Sequence, residues 1–192
     1  MSMEFIAEIS SNHHGDLNRC LKFIDVAAEI GCDGVKFQLF KINKLFAPEI
    51  LNVSKEHRDR KKWELPIEFI KHLSVRSHEL GLTFSCTPFY LKAVEILEPW
   101  VDFYKIASYE LLWDDLIEKC AQTGKRIVLS TGMADIDEIK HAVNIANSKS
   151  KKKPQLLHCV SGYPTPTNQT NLAAIKNIRE ATNCKVGWSD HS

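Results

Sequence analysis

Two lysines stand where lysines are costly. Lys36 lies in Val35-Lys36-Phe37-Gln38 and Lys105 in Tyr104-Lys105-Ile106-Ala107-Ser108, each inside an otherwise apolar, β-rich run. A lysine buried in such a run is expensive unless an anion meets it. Hydroxyl-bearing residues gather in comparable places: Thr87 in Ser85-Cys86-Thr87-Pro88-Phe89, Ser108 after Lys105, Ser130 in Ser130-Thr131-Gly132-Met133, and Ser189 in Ser189-Asp190-His191. Lysines and hydroxyls together suit a phosphate or a carboxylate. Each lysine could instead be neutralised by a carboxylate of the same fold such as Glu8, and a single lysine could form a Schiff base. His191, beside Asp190, is the candidate metal ligand, with Glu8 or His158 as conceivable company. There is no His-x-x-x-His or comparable spacing to strengthen that reading. His13 and His158 read as structural or supporting histidines, and Cys86 and Cys159 as packed thiols rather than nucleophiles.

These residues need elements to carry them. Short apolar runs recur at Phe5–Ile9, Gly34–Phe40, Leu82–Cys86, Val101–Ile106, Arg126–Leu129, Gln155–Val160 and Lys185–Trp188. Between them, helical spacing of apolar residues marks Leu21–Ala28, Ile67–Leu80, Leu116–Ala121, Ile136–Ala146 and Leu172–Ala181. Strands alternating with helices predict parallel pairing with right-handed crossovers. Seven in succession favour a (β/α)8 TIM-type barrel, α/β in class, over an open doubly wound sheet. In such a barrel catalytic groups collect at the C-terminal strand ends, which is where the polar residues fall. The stretch from Lys41 to Pro66 is charged and has no clean period, which predicts a loop, either covering a site or solvated. Lys149–Pro154 reads as a solvated basic connection.

Composition narrows the class of function. The chain has 192 residues, 44% hydrophobic and 26% charged, with 25 Lys+Arg against 24 Asp+Glu. That balance excludes a disordered chain and gives no electrostatic case for nucleic acid. No apolar run approaches the ~20 residues that cross a bilayer, and no signal peptide is visible, so a cytoplasmic protein is expected. Six scattered cysteines without a Cys-x-x-Cys pair predict reduced, mostly buried thiols.

Taken in order, Glu8-Ile9 with Asn12-His13 and Gly15-Asp16, Val35-Lys36-Phe37-Gln38, Thr87-Pro88-Phe89, Tyr104-Lys105-Ile106-Ala107-Ser108, Leu129-Ser130-Thr131-Gly132-Met133, Leu157-His158-Cys159, Tyr163-Pro164-Thr165-Pro166 and Ser189-Asp190-His191 form a set. Together they resemble the catalytic barrel of the sialic acid synthase (N-acetylneuraminate synthase) family over nearly the whole chain. The resemblance implies a transferase that condenses phosphoenolpyruvate with the open-chain aldehyde of an N-acetylated amino sugar. The product is a nine-carbon 2-keto acid, with phosphate released by C–O cleavage. It implies that Lys36, Thr87, Lys105, Ser108, Ser130 and Ser189 hold phosphoenolpyruvate, that Glu8 is an acid/base or sugar-hydroxyl contact at the reacting centre, and that Gln38, Ser161 and Tyr163 line the pocket, the last two nearer the sugar. It implies His191 as one ligand of a divalent metal, usually manganese, acting as Lewis acid on the aldehyde.

The pattern also departs from the family. The resemblance places a second metal-binding histidine on an eighth strand, which the chain does not show. It also implies a C-terminal antifreeze-like domain that reaches into the partner subunit of a homodimer with an arginine, and that domain is likewise not found. Position 161 is Ser where some members have Asn. The expectation is one incomplete barrel domain over residues 1–192, with small-molecule substrates and no nucleic-acid or membrane partner. Other phosphoenolpyruvate-condensing barrels that use phosphorylated sugars need a second basic cluster, which the strand ends lack. A barrel that binds ligand without turnover is the non-enzymatic alternative.

Overall fold

The structure, a computed structural model, describes residues 3–192. Its contacts group into two compact units, one ending at Asp102 and one spanning Phe103–Ser192.

The first unit carries strands β1 (Ile6–Ser10), β2 (Gly34–Leu39) and β3 (Thr83–Pro88), paired in parallel in that order. Helix α1 (Leu17–Glu29) connects β1 to β2; Asp16 caps it by accepting from the backbone N–H groups of Asn18 and Arg19. Its buried residues Cys20, Ile24 and Ala27 recur at helical spacing and make one face apolar. Strand β2 is buried along almost its whole length, with Val35, Phe37 and Leu39 fully enclosed, as parallel strands covered on both faces require. It begins at Gly34 for a steric reason. A Cβ there would lie 2.8 Å from the Thr83 carbonyl oxygen and 2.2 Å from its Oγ1.

The stretch from Lys41 to Pro66 is not the loop that its sequence predicts. It folds into α2 (Ile42–Leu45), α3 (Pro48–Val53), α4 (Lys55–Asp59) and a 3-10 turn over Arg60–Trp63. Helices of four to six residues are too short to show a hydrophobic period. Polar contacts hold them instead. Glu64 accepts from Lys41 Nζ at 2.8 Å and from the Ile42 N–H at 2.9 Å, and Arg58 donates to the carbonyls of Leu51 and Asn52. The Phe46 ring meets His57 edge-on at 4.7 Å, and the Arg60 guanidinium lies over both Phe46 and Trp63. Helix α5 (Phe69–Glu79) then packs beside α1 and leads into β3, and α6 (Leu91–Leu97) follows β3.

The second unit repeats the alternation. Strands β4 (Phe103–Ile106), β5 (Arg126–Ser130), β6 (Gln155–His158) and β7 (Val186–Trp188) pair in parallel in sequence order. Helices α7 (Asp114–Gln122), α8 (Ile136–Lys149) and α9 (Ala174–Thr182) connect them. Helix α8 starts with a reciprocal capping box between Asp135 and Glu138. The basic loop before β6 is solvated as its sequence predicts, with Lys151, Lys152 and Lys153 all exposed. Lys152 donates to the Gly124 carbonyl at 2.9 Å and Lys153 to that of Asn183 at 3.4 Å, so both lysines sit at helix C-termini where carbonyls need donors.

Seven parallel strands alternating with helices, each within a few residues of its expected place, make the fold that of an incomplete (β/α)8-type barrel. All six cysteines are free and five are buried, matching the expectation of reduced, packed thiols. No helix among the described residues is long and apolar enough to cross a membrane.

Candidate functional site

In the first unit, strand register builds the site. Glu8 is aligned with Lys36 and Lys36 with Ser85; two residues further along, Gln38 is aligned with Thr87. Because side chains alternate along a strand, these residues share one face in two successive rows. Lys36 is buried, 7% exposed, and forms an ion pair with the Glu8 carboxylate. The carboxylate alternative raised by the sequence is therefore realised for this lysine. Its charge is balanced while Glu8 itself remains open to solvent. Thr87 is 1% exposed, and among the described residues its Oγ1 has no hydrogen-bond partner. A buried hydroxyl without a partner is costly, and a ligand oxygen would relieve it. Burial pushes the neighbouring Cys86 thiol well up, keeping it protonated in agreement with a packing role.

His13 is also structural. It is fully buried, its Nδ1 accepts from the Gly15 N–H at 3.0 Å, and burial lowers its pKa so that it stays neutral.

The second unit assembles a different set. Lys105 lies on β4, and the chain then turns through a 3-10 segment over Ser108–Glu110. Ser130 ends β5, is 1% exposed, and its Oγ has no partner. Ser108 Oγ accepts the Gly132 N–H at 3.0 Å and lies 3.0 Å from Cys159 Sγ. Gly132 is required there. A Cβ would sit 2.6 Å from Ser161 Oγ, 2.7 Å from Cys159 Sγ and 2.9 Å from Ser108 Oγ, so three polar side chains close on the space a side chain would fill. Cys159 falls just past the end of β6 rather than within the strand.

Glu110 is the site residue that the sequence reading missed. Burial pushes its carboxyl up to about 7, opposed by the charge of Lys105, and its Oε2 has no partner. Lys105 is pulled down by the same desolvation, opposed by Cys159 and Glu110. An acid and a base displaced toward each other exchange a proton more readily than they would at their ordinary values. The available signal was its spacing, two residues beyond Ser108 in a short polar turn directly after an apolar strand.

The third group surrounds His191. Its Nδ1 bonds to the Val160 carbonyl at 2.8 Å, which fixes the ring and leaves Nε2 facing Tyr163 Oη at 3.2 Å and Ser189 Oγ at 3.5 Å. Tyr163 stacks on the imidazole with centroids 4.2 Å apart and is 71% exposed. A histidine held through Nδ1 by a carbonyl is oriented as metal-bound histidines are, so His191 fits a divalent metal as one ligand. No group of three or more His, Cys, Asp or Glu that could hold a metal occurs among the described residues. Asp190 turns aside to accept from the Ser192 N–H, and His158 bonds through Nε2 to the Thr170 carbonyl.

Comparison with known proteins converges on one group. The sequence model described as the NeuB family matches residues 23–192. The chain is 36% identical over 200 residues to the N,N'-diacetyllegionaminic acid synthase of Campylobacter jejuni subsp. jejuni serotype O:2, covering 97% of the chain and 60% of that protein. It is 32% identical over 200 residues to the pseudaminic acid synthase of Helicobacter pylori, covering 98% and 59%. The crystal structure of the N-acetylneuraminic acid (sialic acid) synthetase of Leptospira borgpetersenii serovar Hardjo-bovis superposes with a TM-score of 0.91 at 34% identity, covering 100% of this chain and 66% of that one. The chain thus spans about 60% of the length of the two curated relatives.

Proposed function

The chain belongs to the NeuB family, and on that footing we propose that it carries the phosphoenolpyruvate-binding and condensing part of a sialic-acid-type synthase. The co-substrate is the aldehyde of an N-acetylated amino sugar, and the reaction joins C3 of phosphoenolpyruvate to that carbon with release of phosphate. The observation that carries the reading is the pair of buried, unpartnered hydroxyls, Thr87 and Ser130. Thr87 belongs to the strand face that holds Lys36, and Ser130 to the unit that holds Lys105. Unpartnered hydroxyls in units that also carry lysines within their strands are what an anionic ligand with several oxygens satisfies.

Each group has work that its geometry suits. Lys36, Thr87, Lys105, Ser108, Ser130 and Ser189 supply cations and hydroxyl donors to phosphate and carboxylate oxygens. Glu8, paired with Lys36, accepts a hydrogen bond from a sugar hydroxyl, and Gln38 follows Lys36 on the same strand face. Ser161 and the exposed Tyr163 face the sugar. Glu110, as the carboxylate that the charge of Lys105 favours, takes one proton of the water whose oxygen bonds to C2 once C3 has reacted, and becomes the neutral acid that its burial favours. His191 would hold a divalent metal such as manganese as one of its ligands, and the metal would supply Lewis-acid polarisation of the aldehyde oxygen.

Hydrogen–deuterium exchange with and without phosphoenolpyruvate tests the reading. Protection is expected at the C-terminal ends of β3, β4 and β5, around Thr87, Ser108 and Ser130. Unchanged exchange at those segments under saturating ligand contradicts it. Phosphate release that depends on a neutral N-acetylated amino sugar, and not on a phosphorylated sugar, separates this reading from the other phosphoenolpyruvate-condensing synthases.

A further inference from the structure

Ser108 is a donor with a direction, and the residue that sets the direction has had no role so far. We propose that Cys159 is a positioning residue whose thiol donates to Ser108 Oγ and so turns the Ser108 hydroxyl proton outward, toward an anionic ligand. The inference deepens the proposed function and rests on it for the identity of that ligand.

The argument counts lone pairs. A serine hydroxyl has one proton to donate and two lone pairs to accept with. One lone pair of Ser108 takes the Gly132 N–H at 3.0 Å. Among the described residues the other partner of Oγ is Cys159 Sγ, also at 3.0 Å, where either atom could be the donor. If the hydroxyl donates to sulfur, its proton goes to a weak acceptor and none is left for a ligand. If the thiol donates, both lone pairs are occupied and the O–H has one free direction. An arriving anion favours the second arrangement, because a hydroxyl–anion bond is stronger than a hydroxyl–sulfur bond. The site is built to hold that geometry. Cys159 is only 5% exposed, and the absence of a side chain at Gly132 lets Ser108, Cys159 and Ser161 close around its backbone N–H.

Two measurements test the inference, and neither reads stability. In the infrared spectrum, the S–H stretch lost in Cys159→Ala identifies the Cys159 band. Phosphoenolpyruvate should move that band toward stronger donation, and the movement should vanish in Ser108→Ala. By calorimetry, Cys159→Val, which fills the space without a donor, should weaken phosphoenolpyruvate binding about fivefold, the equilibrium equivalent of one net hydrogen bond. Cys159→Ser, which restores a donor, should recover most of the loss. In the Ser108→Ala background, Cys159→Val should change nothing further. Wild-type affinity in a folded Cys159→Val variant, or a band indifferent to ligand in protein that binds it, overturns the positioning role alone. A folded wild-type protein that binds no phosphoenolpyruvate overturns the functional reading, and this inference with it.

Discussion

Replacing Glu110 by glutamine isolates the energetics of its buried carboxyl. In the fold the carboxyl titrates near 7, against 4.5 as its ordinary value. At ~1.36 kcal/mol per pH unit, the ionised form costs the fold about 3 kcal/mol. The sign follows from proton binding. Below about pH 4.5 the group is protonated folded and unfolded, and it contributes no pH dependence. Between about 4.5 and 7 the unfolded chain releases the proton while the folded chain keeps it, so stability falls as pH rises; above about 7 both have released it and the penalty is complete. Glu110→Gln, neutral throughout, should match wild type in acid and exceed it by about 3 kcal/mol at pH 8. Urea unfolding of both proteins from pH 4 to pH 8 reads this directly, with the difference between them cancelling other titrating groups. A difference that stays flat across that range, or grows toward acid, would refute the assignment of a desolvated carboxyl at position 110.

Three further outcomes follow from the same geometry. Thr87→Val removes a buried hydroxyl that has no partner, so unfolding should show stability unchanged or raised by about 1 kcal/mol while phosphoenolpyruvate affinity falls. Gly132→Ala should be destabilising by about 1–3 kcal/mol in thermal or urea unfolding, because its Cβ would lie within 3 Å of three polar side chains. Lys105→Met removes the charge that opposes burial of Glu110, so in the pH series the midpoint for Glu110 should move above about 7.

The strands were legible because burial on both faces leaves a dense apolar run, and Val35, Phe37 and Leu39 show that run in β2. Lys36 and Lys105 were legible for the converse reason, as charges inside such runs. The segment from Lys41 to Pro66 was not. Its order comes from Glu64 reaching back to Lys41 and Ile42, and from Arg60 over Phe46 and Trp63, contacts between residues too far apart for a local period to reveal. Glu110 was hidden differently, since a glutamate in a polar turn looks solvated until its desolvation is seen. The pairing of Glu8 with Lys36 was one of three readings that the sequence allowed. Strand register, which places them side by side, decides it.

The central proposal is that Lys36 and Lys105, with the unpartnered hydroxyls of Thr87 and Ser130, bind phosphoenolpyruvate. Calorimetric titration of phosphoenolpyruvate into the wild-type chain and into a Lys36→Ala/Lys105→Ala variant, with and without manganese, tests it most directly. The account predicts saturable binding that the double variant loses while still folded. Equal binding by both proteins, or none by a folded wild-type chain, would contradict it.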